Sequence, residues 1–310
     1  MLLSGCDDSK PRLPSGVETY SDGRMPVEEL YSAYTALLDQ AWQLDIILQS
    51  QPAGTGYALP IVALRSPRIG PAVWILSGIH GEEPAGPQAI SASIDSIAEL
   101  GKRRAVVLLP LNNPHGYVRN WRYLNTAVYS AEVDGHSVGD SSHLLADADN
   151  PGQARAAAAS SPEAAAITAY ILEQSATYPP ILSIDLHEDN LINAGYVYSQ
   201  GVLGENDPLA AAAVRILQDN RIPIQVDGTT RFDEPIVNGI VGPVTDSSID
   251  ELMSAAEVVV DGDTQPAPRA FTVLVFETPA GNTDLQSRIA AHTALLRMLV
   301  RELVSQEERR

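Results

Sequence analysis

Apolar residues along this chain fall into two rhythms that alternate. From 27 to about 44, Leu30, Tyr31, Tyr34, Leu37, Leu38 and Trp42 recur three and four apart, the spacing of one helix face. Glu28 and Glu29 stand at its start, where the helix dipole favours acids. Apolar runs at 46–48 and 58–64, separated by Pro52, Gly54 and Gly56, predict a hairpin. Continuous apolar runs at 73–76, 105–109, 181–186 and 271–276 predict strands buried on both faces, and shorter strands are predicted at 196–199 and 222–226. Helices are predicted at 84–100, with Pro84 in the first turn, and at 161–174, 208–219, 248–256 and 282–304. Residues 111–160 and 227–246 are rich in Gly, Pro, Asn, Asp and Ser and read as loops; connections as long as the first are often functional. Strands alternating with helices predict an α/β fold, a mixed and largely parallel sheet with helices flanking both faces. Residues 1–14 read as a disordered tether and 15–310 as one domain.

Composition narrows the chemistry. The formal charge of -19 argues against nucleic acid, whose phosphates require clustered Lys and Arg, and disfavours a generic anionic membrane surface. With one cysteine, Cys6, no intrachain disulfide forms and a cysteine-ligated zinc site is excluded, so metal ligands must come from His, Asp and Glu. No apolar run reaches the roughly 18 residues of a spanning helix. Leu3-Ser4-Gly5-Cys6 resembles a bacterial lipobox ending at an acylated Cys, although only Met1 and two Leu precede it. It predicts a periplasmic or membrane-anchored lipoprotein; the alternative is a cytoplasmic protein with a chance Cys.

Three of the apolar strands end in residues able to do chemistry. The run at 73–76 leads to His80 and Glu83, the run at 181–186 to His187, and the run at 271–276 to Glu277. Open α/β sheets place ligands at strand ends of this kind. His80, Glu83 and His187 would form the two-His, one-carboxylate shell of a catalytic zinc ion, which leaves a coordination position open. Glu277 would take a proton from the attacking water and pass it to the leaving group. A carboxylate at the end of an apolar strand is costly unless it is paired or functional.

The order of these motifs resembles the zinc carboxypeptidase family, the carboxypeptidase A-like metallopeptidases together with their desuccinylase and aspartoacylase relatives. His80-Gly81-Glu82-Glu83, Asn113-Pro114-His115-Gly116, Ile184-Asp185-Leu186-His187 and Val275-Phe276-Glu277-Thr278 carry the resemblance over about residues 45–300. It implies one zinc ion, a mixed eight-stranded sheet, amide-bond hydrolysis, and an Arg that polarises the scissile carbonyl. Arg122 is assigned that role, with Arg119 beside it. Asn113, Arg119, His136 and His143 are the candidate substrate-binding residues, while His115 and His292 read as structural. The family's Asn-Arg pair for the substrate's terminal carboxylate is missing; Asp134-Gly135-His136-Ser137 stands in its region. The expected function is a metallocarboxypeptidase acting on peptides, including peptidoglycan-derived ones. The alternatives are an N-acyl amino acid deacylase or a catalytically inactive binding lipoprotein. A nucleotide-binding domain is disfavoured, because no phosphate-loop glycine pattern follows any strand.

Overall fold

The four continuous apolar runs become the middle of one sheet. The computed structural model describes residues 13–52, 54–123 and 139–307. Its strands are β1 (Gln43–Ser50), β2 (Leu59–Arg65), β3 (Ala72–Ser77), β4 (Ala105–Leu109), β5 (Pro180–Asp189), β6 (Tyr196–Ser199), β7 (Gly228–Thr229), β8 (Pro235–Val237), β9 (Ile240–Val241), β10 (Glu257–Val260), β11 (Asp263–Pro266) and β12 (Thr272–Pro279). Ten of them form a sheet in the order β1-β2-β4-β3-β5-β12-β6-β9-β8-β7, while β10 and β11 form a separate hairpin. The centre, β4-β3-β5-β12, is parallel. The flanking pairs β1/β2, β2/β4 and β12/β6 are antiparallel. The fold class is therefore the expected mixed α/β sheet, with ten strands rather than eight.

Helices cover both faces. They are α1 (Val27–Thr35), α2 (Ala85–Ser91), α3 (Ile94–Arg103), α4 (Pro114–Arg119), α5 (Pro162–Ser175), α6 (Pro208–Asp219), α7 (Ile249–Ser254) and α8 (Leu285–Glu307). Val73, Ile75, Leu182, Ile184, Leu186, Leu274 and Phe276 pack with Leu30, Ile90, Ile97, Leu217 and Leu295 of α1, α2, α3, α6 and α8. On the opposite face Trp74, Leu76, Val107 and Val273 meet Ile167 and Ile171 of α5 and Leu252 and Met253 of α7. Successive strand residues point to opposite faces. On β5, with Leu182, Ile184 and Leu186 committed to the first face, Ser183, Asp185 and His187 fall on the second. Each is buried, so the sheet itself carries a polar stripe into the α7 side.

The chain passes from β3 to β4 on one side, then returns across β3 to place β5 on the other. That reversal opens a crevice at the carboxyl ends of β3 and β5, the switch point where open sheets bind ligands. His80 follows β3, His187 lies in β5, and Glu277 pairs with His187 in the parallel β12/β5 register. Sheet geometry alone thus sets the two side by side.

Several predicted elements end elsewhere. The helix expected over 27–44 stops at Thr35 and continues as a 3-10 turn, Ala36–Gln40. Ala41 then takes a left-handed conformation, φ 63°, and β1 begins at Gln43, where pairing with β2 replaces helical hydrogen bonds. The helix expected over 84–100 is two, broken at Ala92 and Ser93, where the Ser93 N–H turns to the Ile90 carbonyl at 2.9 Å and the Ser93 carbonyl accepts from the Ile97 N–H to start the second helix. Residues 222–226 make a single bridge, Ile224 to Gly195, because Pro223 has no N–H to donate. The loop over 227–246 contains three short strands that extend the sheet instead. Residues 1–12 and 124–138, and with them the lipobox, most of the tether and His136, lie outside the described residues. Among the described residues no helix is long and apolar enough to cross a membrane.

Candidate metal centre and active-site cleft

His80 sits in a loop whose path is fixed by close backbone contact. Gly81 packs on Gly116, and a Cβ at Gly81 would lie 2.1 Å from the Gly116 carbonyl carbon and 2.4 Å from the Tyr117 nitrogen. Asn113 caps α4: its side-chain oxygen accepts from the Gly116 N–H at 2.8 Å, and its amide donates to the carbonyls of Ile79, Arg122 and Tyr123 at 3.2, 3.2 and 3.0 Å. One side chain thereby fastens the His80 loop to the segment carrying Arg122. Buried Arg24 completes the clamp, donating through Nη1 to the Gly81 and Tyr117 carbonyls, while Asp22 and Asn120 accept from Nη2. Gly81→Ala is accordingly expected to cost about 2–3 kcal/mol through overpacking against backbone, read as a lower urea midpoint. Gly152→Ala, with nothing within 4 Å of its Cβ, should leave the midpoint unchanged.

The three candidate ligands converge. His80 Nδ1 is 2.7 Å from Glu83 Oε1, His187 Nδ1 is 2.9 Å from Glu83 Oε2, and the two Nδ1 atoms are 3.2 Å apart. One ligand atom from each of the three residues falls within 4.8 Å of the others. The remaining polar atoms are committed in ways that orient these. His187 Nε2 lies 3.2 Å from Asp185 Oδ2, which favours a proton on Nε2 and a lone pair on Nδ1. Glu83 Oε2 accepts from the Glu188 N–H at 3.1 Å, and Glu83 Oε1 from Arg122 Nη1 at 2.9 Å. Glu188 is buried: it accepts from the Ala85 N–H at the start of α2 and pairs with Arg288 of α8. That pair ties the closing helix to the residue after His187.

Electrostatics follow from burial and these neighbours. Burial, helped by the Arg122 charge, pulls His80 down to about 4. Burial would lower His187 too, but the Asp185 and Glu83 carboxylates outweigh it and hold the imidazole well above its ordinary range. Burial opposes ionisation of Glu83, yet His80 and His187 keep its carboxyl below the usual carboxylate range. The donor set therefore fits a cation: a committed carboxylate and two imidazole nitrogens converge on a point where mutual repulsion or a trapped proton would otherwise sit. Two nitrogens and a carboxylate oxygen suit zinc.

An open cleft lies in front of this centre, lined by His80, Arg122, His187 and Glu277 among others. Glu277 is 8 % exposed, and its Oε2 is buried with no hydrogen-bond partner. Burial pushes its carboxyl well above the usual range, against the pull of His187. An unpaired buried carboxylate oxygen costs stability and is retained where it has work to do. Arg122 faces the same cleft, its Nη1 3.1 Å from Glu82 Oε1 and 2.9 Å from Glu83 Oε1.

The other sequence-predicted residues lie apart. Asn113 spends its side chain on the loops, so it builds the site rather than lining the cleft. The Arg119 guanidinium stacks 5.1 Å from the Trp121 ring instead of entering the cleft. His143 faces Thr168 at 3.4 Å and lines a different pocket with Leu144 and Val259. His115 and His292 are structural, as read: His115 Nε2 meets the Ser50 carbonyl at 2.9 Å, and His292 Nε2 meets Thr278 Oγ1 at 3.0 Å. Sequence reasoning passed over Asp185, Tyr196, Tyr198, Arg231 and Asp250, which line the cleft. Alternation along Ser183-Ile184-Asp185-Leu186-His187 could have flagged Asp185; the others carry no local signal.

Sequence comparison is silent on this chain: no protein-family model and no curated protein matches it. Solved structures do match. A provisionally named metallopeptidase of Shewanella amazonensis superposes with a TM-score of 0.68 at 23 % identity, over 89 % of this chain and 93 % of that one. A metallo-carboxypeptidase of Burkholderia cenocepacia gives 0.58 at 13 % identity, over 91 % and 70 %. Carboxypeptidase A of Helicoverpa armigera gives 0.55 at 14 %, over 90 % and 73 %. At these identities the likeness establishes the fold.

Proposed function

We propose that this chain, which has the metallo-carboxypeptidase fold, is a zinc-dependent hydrolase of amide bonds, and in particular a metallocarboxypeptidase acting on peptides. The observation that carries the reading is the convergence of His80, Glu83 and His187 beside a buried, partnerless Glu277 oxygen at the sheet's switch point. His80, Glu83 and His187 would hold the zinc. When bound, zinc supplies a Lewis acid that acidifies water and polarises a carbonyl.

The chain's own residues do the rest. Glu277, poised by burial to hold a proton, takes one from the attacking water and delivers it to the leaving amine nitrogen. Arg122, fixed by Glu82 and Glu83, donates to the scissile carbonyl oxygen as charge develops there. Glu188 and Asp185 hold Glu83 and His187 in place. Arg122→Ala is expected to lower kcat about 10²- to 10³-fold with a small change in KM, since the bond strengthens in the transition state. A raised KM at unchanged kcat would make Arg122 a substrate-binding residue only.

Departure from the family's Asn-Arg pattern favours a second reading, an N-acyl amino acid deacylase. Assaying the zinc-loaded protein against peptides with free and blocked C-termini and against N-acyl amino acids separates the two. Cleavage of free peptides alone supports the carboxypeptidase, cleavage of acyl amino acids alone the deacylase, and hydrolysis of neither overturns both. The lipobox-like Leu3–Cys6 segment supports action in the periplasm, where peptidoglycan-derived peptides would be the natural substrates.

A further inference from the structure

The cleft is predominantly acidic: Asp140, Asp185, Asp189, Asp246, Asp250 and Glu277 all line it. Two guanidiniums line it with them, Arg122 and Arg231. Arg122 is already bound to Glu82 and Glu83. Arg231 is exposed, and among the described residues it makes no ion pair; its Cζ lies 5.1 Å from the ring centre of the neighbouring exposed Phe232.

The turn that presents Arg231 is held in shape. The Thr230 N–H donates to the Glu234 carbonyl at 2.9 Å, the Asp233 N–H to the Thr230 carbonyl at 3.1 Å, and the Phe232 N–H to Thr230 Oγ1 at 3.2 Å. Asp233 takes a left-handed φ of 62° to close it. The Thr230 and Tyr198 hydroxyls both donate to Glu234 Oε2, at 2.7 and 2.8 Å. Tyr198 in turn pairs with Val275, two residues before Glu277 on β12. Arg231 is thus carried on a braced turn tied to the strand beside the general base, not on a slack surface loop.

We propose that Arg231 receives the free α-carboxylate of the substrate, the role for which this sequence lacks the Asn-Arg pair. A guanidinium presents two parallel N–H donors that match a carboxylate, and the planar Phe232 ring beside it helps to fix the fork. Elsewhere the aspartates repel a carboxylate, so this rim position also sets the polarity in which a substrate enters. The carboxylate could belong to a peptide C-terminus or to an N-acyl amino acid. The inference rests on the hydrolase reading only in requiring that substrate enters the cleft beside Glu277.

Calorimetric binding to the zinc-loaded Glu277→Gln protein tests it without turnover. The probes are N-acetyl tripeptides ending in Ala, Phe, Lys or Glu and the corresponding N-acetyl amino acids, each as free acid and as amide. At least one acid is expected to bind about 10- to 100-fold tighter than its amide. Arg231→Ala in that background should bring the acid down to the amide's affinity, and Arg231→Lys should retain part of the preference, keeping charge but losing the fork. Preference among tripeptides or among acyl amino acids identifies the source of the carboxylate. No acid-over-amide preference in any pair, or a preference untouched by Arg231→Ala, overturns the assignment. If the preference depends on Arg231 while the wild-type protein hydrolyses none of these compounds, the carboxylate site stands and the hydrolase reading falls.

Discussion

Replacing Glu277 by Gln is expected to leave one zinc per chain bound and to lower kcat by about 10²- to 10⁴-fold, the range of a lost general acid–base. Gln keeps the size and hydrogen-bonding shape of the side chain, so packing at the β12/β5 junction should persist. Indeed, the exchange removes a buried carboxyl with one oxygen unpartnered, and thermal stability should hold or rise. Loss of turnover with a raised or equal Tm separates chemistry from folding. A variant that kept wild-type kcat would show that Glu277 does not carry the proton.

Replacing His187 by Ala should have the second large effect, abolishing both zinc binding and hydrolysis. In the wild-type protein, zinc at about 100 times its dissociation constant adds about 2.7 kcal/mol to stability, visible as a raised Tm. His187→Ala and His80→Ala should each lose that increment. The two differ in cost without metal. His187 is buried between Asp185 and Glu83, so its removal leaves two carboxylates without their cationic neighbour, whereas half-buried His80 leaves fewer groups stranded. The metal-free His187→Ala protein should therefore be the less stable of the two by urea unfolding.

The parts of this centre that were legible in the sequence share one property: each sits at the end of a strand buried on both faces. Val73–Leu76, Ile181–Leu186 and Phe271–Phe276 are apolar enough to mark themselves, and a His or Glu at such an end is conspicuous. The parts that were not legible depend on distant partners. Nothing in the local sequence marks Glu188, beside His187, as buried; it is so because Arg288, a hundred residues later, and the Ala85 N–H both reach it. Arg24 lies in an unremarkable polar stretch, and its clamp on Gly81 and Tyr117 exists only once α4 is in place. Asn113 is a substrate-binding candidate by its place in the Asn-Pro-x-Gly motif, whereas in the structure its amide is consumed by three carbonyls. One miss was avoidable: Asp261-Gly262, flanked by Val258–Val260, is a hairpin signal, and both residues adopt positive φ at the β10/β11 turn.

The shell also explains how so acidic a chain could favour a cation at one point without binding cations everywhere. Most of the described carboxylates are exposed or half-buried, where ion attraction is weak and screened. At the centre Glu83 is dehydrated, and its two oxygens are aimed by Arg122, the Glu188 N–H and two imidazoles. Preorganisation of this kind, rather than net charge, would give selectivity for a nitrogen-preferring metal.

The X-ray absorption spectrum at the zinc edge of the protein loaded with one equivalent of zinc tests the central claim most directly. The account predicts two imidazole nitrogens at about 2.0–2.1 Å with the remaining positions filled by oxygen, and one imidazole fewer in either His80→Ala or His187→Ala, if either retains metal at all. A wild-type spectrum without imidazole scattering, or one unchanged by both substitutions, would contradict it.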